Sequence, residues 1–185
     1  MSILLGAVLL VGVVLSGFRV VQEFERIVVF RLGRLEGVQG PGLCYVIPFL
    51  DRVVRVDLRT VNIELPVQEV VTRDNVTIKV TAVVYYRFVA PELDVTRVLD
   101  GHLATVQLAQ TTLRNVLGQS ALDEVLSSRD ALNDRLQRML DEQTEPWGVK
   151  VSGVALKDLE LPVATQRAVA RQAEAEREKR AKVLH

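Results

Sequence analysis

Two histidines and one cysteine are the side chains most often recruited for chemistry near neutral pH, and here their spacing assembles no reaction centre. A Ser-His-Asp or Cys-His arrangement needs an imidazole within reach of a nucleophile. His102 lies between Gly101 and Leu103 at a helix start, where a cap or a surface position is expected, and His185 is the last residue. CxxC, HExxH and Walker A sequences do not occur. The glycines of "GVQGPG" (Gly37, Gly40, Gly42) resemble a phosphate loop, but Pro41 lacks a donor N–H, and they read as a turn. The carboxylates fall on alternating strand faces or helix surfaces, the pattern of solvated faces. No catalytic residue, cofactor or metal site is expected. A hydrolase with an unrecognised site, using His102 as base, is the rival within that class. Asn75-Val76-Thr77 is a glycosylation sequon only in an exported domain.

Lys+Arg and Asp+Glu both number 23, so no charge excess points to nucleic acid, and no basic patch with interleaved aromatics occurs. A single cysteine, Cys44, excludes an intrachain disulfide framework. At 185 residues and 49% hydrophobic, the chain can bury a core, as one domain with appendages or as two small lobes.

The elements that position these residues begin with an apolar run. Ile3 to Phe18, "ILLGAVLLVGVVLSGF", carries no charge. As a helix it spans ~24 Å against a hydrocarbon core of ~30 Å. Arg19 can snorkel, and Val20 and Val21 extend the reach. A membrane anchor over residues 1–18 is expected, carried by Ile3, Leu4, Leu5, Val8, Leu9, Leu10, Val11, Val13, Val14, Leu15 and Phe18. A signal peptide would need a basic start and an A-x-A site, and neither is present. Arg19, Arg26, Arg31 and Arg34 follow the run, which places the bulk of the chain on the cytoplasmic side.

Glu25 to Leu35 reads as a strand ending at Gly33. Residues 52–58 alternate, and the phase flips near Thr60, as a bulge or corner requires. "TRDN" (72–75) is a turn. Val76, Ile78, Val80, Ala82, Val84, Tyr86 and Phe88 then form the inner face of a long strand. From Pro91 the period becomes helical. Leu103, Val106, Ala109, Leu113, Val116 and Leu117 make one apolar stripe, and Leu132, Leu136, Met139 and Leu140 another. Ser120 is expected to cap a short helix, and Ser127 with Asp130 to form a capping box. "EPWG" (145–148) is a stop, and residues 149–161 return to a strand with a phase shift at Gly153.

One stretch breaks the strand rule. "GPGLCYVIPFLD" (40–51) turns at Gly40-Pro41-Gly42 and then carries no charge from Leu43 to Leu50. A strand with one wet face alternates apolar and polar residues, and this one does not. The segment Pro41, Leu43, Cys44, Tyr45, Val46, Ile47, Pro48 and Phe49 is expected to lie against the membrane, covered by lipid or by a neighbouring protomer. A strand buried on both faces within one protomer is the alternative. Cys44 is expected to be packed rather than acylated.

The tail, "PVATQRAVARQAEAEREKRAKVLH", reads as an exposed helix with i,i+4 pairs such as Glu176–Arg180. Its stripe of Val163, Arg167, Val169, Ala170, Ala173, Glu176 and Arg180 is too thin to bury itself alone and is expected to pack on copies of itself. The pattern runs to His185 without a cap.

The blocks "ERIVVFRLGRL", "GPGL…IPFLDRVVRVDLRT", "VTIKVTAVVYYR", "AQTTLRNVLGQ", "LDEQTEPWGVKV" and "VALKDLELP" occur in this order and spacing. Together they resemble a stomatin-type, prokaryotic slipin-like member of the SPFH (Band 7) family, which includes prohibitins and flotillins. The resemblance runs from about Phe24 through the tail. It implies an α+β SPFH domain with antiparallel or mixed sheet and packed helices. The implied lobes are a β-rich one at residues 19–90 and an α/β one at 91–161, with a long oligomerisation helix beginning at 162–185. It also implies membrane anchoring, contact with lipid, and large homo-oligomers whose SPFH lobes form a ring and whose helices form a wall. A membrane-protein partner, an NfeD-type protein or a protease, is implied, and a catalytic site is not. Family members drawn with a one-leaflet hairpin have a proline in the anchor. None occurs between Met1 and Phe18, so a straight crossing is expected. The reading is a membrane-anchored scaffold. A small-oligomer regulatory module without a cage is the alternative.

Overall fold

The computed structural model describes Gly12 and residues 16–161. The expected anchor, apart from Gly12 and residues 16–18, and the whole of the expected oligomerisation helix lie outside them. Among the described residues no helix is long and apolar enough to cross a membrane.

The chain is α+β. Among the described residues nine strands run Phe18–Val21 (β1), Glu25–Arg31 (β2), Arg34–Gln39 (β3), Gly42–Tyr45 (β4), Asp51–Asp57 (β5), Val61–Glu64 (β6), Gln68–Val71 (β7), Thr77–Phe88 (β8) and Val149–Glu160 (β9). Between β8 and β9 lie the helices Pro91–Arg97 (α1), Gly101–Gln119 (α2), Leu122–Ser127 (α3) and Arg129–Thr144 (α4), then a 3₁₀ turn at Glu145–Trp147. The strands pair as β1-β4, as β3-β2-β5 and as β6-β8-β7 with β9 on β8.

Two compact units interleave along the chain. Of the described residues, one takes 16–62, 85–105 and 141–152, and the other takes 63–84, 106–140 and 153–161. In the second, the period-two pattern of β8 buries Ile78, Val80, Ala82 and Val84, as the alternation predicts. Leu113, Val116 and Leu117 of α2 and Leu132, Leu136 and Leu140 of α4 are buried in the same unit, at helical spacing. In the first, β1 and β4 pack on β2 and β5 through Val21, Ile27, Val29 and Val46, with Cys44 and Val53 against them.

Several local expectations change. The predicted strand 25–35 is a hairpin, because Leu32 (φ 48°) and Gly33 (φ 82°) turn the chain from β2 into β3. Gly37 belongs to β3 and not to a turn. The phase flip near Thr60 is the break between β5 and β6. Neither predicted serine cap forms: the Ser127 hydroxyl donates to the Asp123 carbonyl and the Ser120 hydroxyl to that of Val116. The first turn of α3 is capped from afar, where the Leu122 N–H donates to Asp74 Oδ2 at 2.9 Å. Gly148 (φ 73°) is required after the 3₁₀ turn, since a Cβ there would stand 2.3 Å from the Ala90 carbonyl oxygen.

Leu136 is fully buried. Leu136→Ala is expected to destabilise the fold by about 2–5 kcal/mol, read as a lowered urea midpoint with an unchanged slope.

Candidate functional site

The apolar stretch that opens at Gly40 folds as two different things. Its first half is β4, which pairs antiparallel with β1 in the register Phe18↔Tyr45, Arg19↔Cys44, Val20↔Leu43 and Val21↔Gly42. Residues directly opposite in such a ladder share a face. Arg19, Val21 and Cys44 therefore lie on one side, and Val46 follows in the same phase. Val21 and Val46 are buried in the core. Phe18, Val20, Leu43 and Tyr45 lie on the other side, with Val20 70% and Leu43 68% exposed. The Phe18 and Tyr45 rings meet edge to face, 5.2 Å between centroids. The outer face of this two-stranded ladder is apolar, and among the described residues the core packs only on the inner one.

Within the segment expected to face the membrane, the strand divides its residues between two sides. Val46 points into the core and Cys44 packs against it, because the strand period of two sends alternate residues inward. Phe18, read from the sequence as the end of the anchor, is a strand residue. Val20, read as an extension of the anchor, completes the outer face. Gly17 precedes the ladder, where a Cβ would stand 2.5 Å from the Val46 carbonyl oxygen, and the Val46 N–H donates to the Gly17 carbonyl at 2.8 Å.

The second half, residues 46–50, is a loop closed by Asp51. The Asp51 carboxylate is shielded from solvent and accepts from Arg31 Nε (2.9 Å) and Nη2 (3.2 Å). It also accepts from the Ile47 N–H (2.9 Å), while the Asp51 N–H donates to the Ile47 carbonyl (3.0 Å). The hydrogen bonds from Arg31, followed by that from the Ile47 N–H, hold the Asp51 carboxyl below its ordinary value. This clamp holds Phe49 at φ 69°, a left-handed conformation that costs a bulky residue about 1–3 kcal/mol. Phe49 is 95% exposed. The Leu32 N–H donates to the Leu50 carbonyl, so a second exposed leucine stands at the adjoining hairpin tip.

Between the ladder and the three-stranded sheet is a cavity of about 560 Å³. Arg19, Arg55 and Asp51 line it with Ile27, Val46 and Val53, and Phe49 contributes to its rim. Arg31, Asp51, Arg19 and Arg55 were not singled out as site residues from the sequence, since pairs twenty or more positions apart leave no local signature.

His102 is exposed at the start of α2, as expected, and its Nδ1 is hydrogen-bonded to the Tyr86 hydroxyl. Burial, then the charges of Asp100 and Asp94, push the Tyr86 phenol up to about 12. Tyr86 thus keeps its proton at neutral pH and is no base. No group of three His, Cys, Asp or Glu side chains is placed to hold a metal ion among the described residues.

The SPFH domain / Band 7 family matches residues 19–184. The chain is similar to a protein of Archaeoglobus fulgidus, 60% identical over 170 residues that cover 92% of this chain and 68% of that one. It is 55% identical over 168 residues to a stomatin homologue of Pyrococcus horikoshii, covering 91% of this chain and 63% of the other. Mouse stomatin is 48% identical over 168 residues, which cover 90% of this chain and 59% of it. The chain thus spans roughly three fifths to two thirds of the length of these relatives.

The Asp51 clamp makes stability depend on acid in a defined direction. Its folded value is lowered, so its contribution is present above the unfolded carboxyl value of about 4 and is lost as pH falls through the folded value. Asp51→Asn is expected to lower the thermal midpoint at pH 7 and to flatten the acid limb of the midpoint-versus-pH curve. A variant whose acid limb matches that of the parent protein would show that another group governs it.

Proposed function

The chain belongs to the SPFH domain / Band 7 family, and on that premise we propose that it is a membrane-seated, homo-oligomeric scaffold that organises membrane patches and recruits other membrane proteins. The observation that carries the reading is the β1–β4 ladder, whose outer face of Phe18, Val20, Leu43 and Tyr45 is exposed among the described residues. A two-stranded ribbon is marginal in water, and one that also shows four apolar side chains to solvent is expected to be covered. Lipid is the proposed cover. Phe18 and Tyr45 are the side-chain types that favour a membrane interface, and the ladder follows directly on the apolar run that ends at Phe18.

Anchored protomers meet in two dimensions, which raises the effective concentration for weak lateral contacts. In this proposal residues 162–185 join neighbours through the Val163, Val169, Ala170 and Ala173 stripe, with Arg167, Glu176 and Arg180 setting register. The family resemblance supports a ring of SPFH lobes with a helical wall, and a partner of NfeD or protease type. The lobes at 19–90 and 91–161 and the cytoplasmic placement belong to the same proposal.

Two measurements test it. Leu43→Lys and Val20→Lys place a charge on the outer face and leave the core side untouched. Each is expected to weaken binding of an anchor-deleted chain to phosphatidylcholine vesicles about tenfold or more. Unchanged binding would remove lipid as the cover. Light scattering of the detergent-extracted chain is expected to show a large, narrow species that collapses when residues from Pro162 onward are removed. A monomer or dimer in both cases would overturn the scaffold.

A further inference from the structure

We propose that the cavity between the β1–β4 ladder and the β3-β2-β5 sheet is a binding site for the phosphate of an anionic lipid headgroup. The inference rests on the reading that the outer face of the ladder lies against lipid. Its own support is the chemistry of the cavity wall. The volume, about 560 Å³, is ample for a phosphate and its glycerol linkage. The floor is apolar, formed by Ile27, Val46 and Val53.

Two guanidinium groups reach this space, and neither is held by a strong partner. Arg19 lies opposite Cys44 on the inner side of the ladder and has no ion partner among the described residues. Arg55 has one acidic neighbour, Glu25, but Nη1 to Oε2 is 3.8 Å, beyond hydrogen-bond distance, and Arg55 is half exposed. The Glu25 Oε2 atom correspondingly finds no hydrogen-bond partner. The third charged group in the wall, Asp51, does not oppose an incoming anion strongly, because Arg31 already pairs with its carboxylate. Two planar forks of N–H donors above an apolar floor are the donor set that takes phosphate oxygens in bidentate fashion.

Position supplies the lipid half of the argument. Arg19 sits in sequence between Phe18 and Val20, which face the opposite side of the ladder. The arginine therefore enters the cavity from the same strand that carries the outer apolar face. Phe49, almost fully exposed, forms part of the rim. A phosphate held by Arg19 and Arg55 leaves the attached acyl chains beside that face and that ring, where a free phosphate has nothing to add. The shared chemistry is the phosphoryl group, and the attached chains distinguish the two sources.

The test uses the full chain in a neutral detergent, with the thermal midpoint followed as ligand is titrated. The probes are short-chain phosphatidic acid, short-chain phosphatidylcholine and inorganic phosphate. Phosphatidic acid is expected to raise the midpoint at concentrations where the other two do not. Arg19→Gln and Arg55→Gln are each expected to weaken its apparent affinity about fivefold, and the double variant about twentyfold or more. Arg34→Gln removes the same charge from a β3 position that does not line the cavity and is expected to leave the affinity unchanged. Melting without ligand confirms that the variants fold. An equal shift with inorganic phosphate would make the site one for a soluble anion and overturn the lipid assignment. Equal responses to the two lipids, or equal losses in Arg34→Gln, would overturn the pocket. Failure of the seating reading is separate, since Leu43→Lys would then bind vesicles normally while the phosphatidic acid shift persisted.

Discussion

The carboxylate of Asp51 fixes the geometry on which the rest of the first unit depends. It ties β2 to the start of β5 through Arg31 and closes the 47–51 loop through the Ile47 N–H. A solvent-shielded carboxylate is costly unless its acceptors are satisfied, and here three donors satisfy it. Arg31 is engaged further by Glu36 on β3, at 3.1 Å. The two tips that display Leu32 and Phe49 are thus joined by charge-assisted bonds below the surface and by a backbone bond, Leu32 N–H to Leu50 carbonyl, at the surface. That clamp acts together with the Asp51 N–H to Ile47 carbonyl bond in the loop where Phe49 takes a positive φ.

From that frame the ladder follows. β4 emerges from the Gly40-Pro41-Gly42 turn and pairs with β1, and the core takes only one side of the pair. The other side is the feature that a free-standing soluble domain would be expected to cover or charge. Its composition, an aromatic pair beside an aliphatic pair, suits a membrane interface. A cavity lined by arginines directly behind it divides one strand between apolar and anionic contacts. The strand period of two is enough to produce that division, since Phe18, Arg19 and Val20 are consecutive residues.

Much of the fold was legible from pattern. The inner face of β8 was readable residue by residue, because alternation over twelve positions leaves little choice of phase. The stripes of α2 and α4 were nearly as plain, except that Leu103, counted in the α2 stripe, lies exposed in the first turn of that helix. What escaped was short or non-local. β1 is four residues long and continues an apolar run, so its alternation was hidden inside the anchor pattern. The helix cap from Asp74 to the Leu122 N–H joins residues 48 apart, and the nearby serines offered a plausible local substitute. The candidate site was half legible. The charge-free stretch from Leu43 to Leu50 announced an unusual environment, but which of its residues face outward required the register with β1. The Arg31–Asp51 clamp gave no sign at all, since ion pairs between strands follow no spacing rule.

The central claim is that the outer face of the ladder contacts lipid, and depth-dependent quenching tests it most directly. Trp147 is the only tryptophan, so its replacement by phenylalanine gives a silent background. A tryptophan introduced at Leu43 would then report on the outer face alone, in the membrane-bound full chain with brominated lipids. The account predicts strong quenching at position 43 and little at a tryptophan placed at the exposed Lys79 of β8. Position 43 left unquenched, with its emission at the wavelength of water-exposed indole, would contradict it.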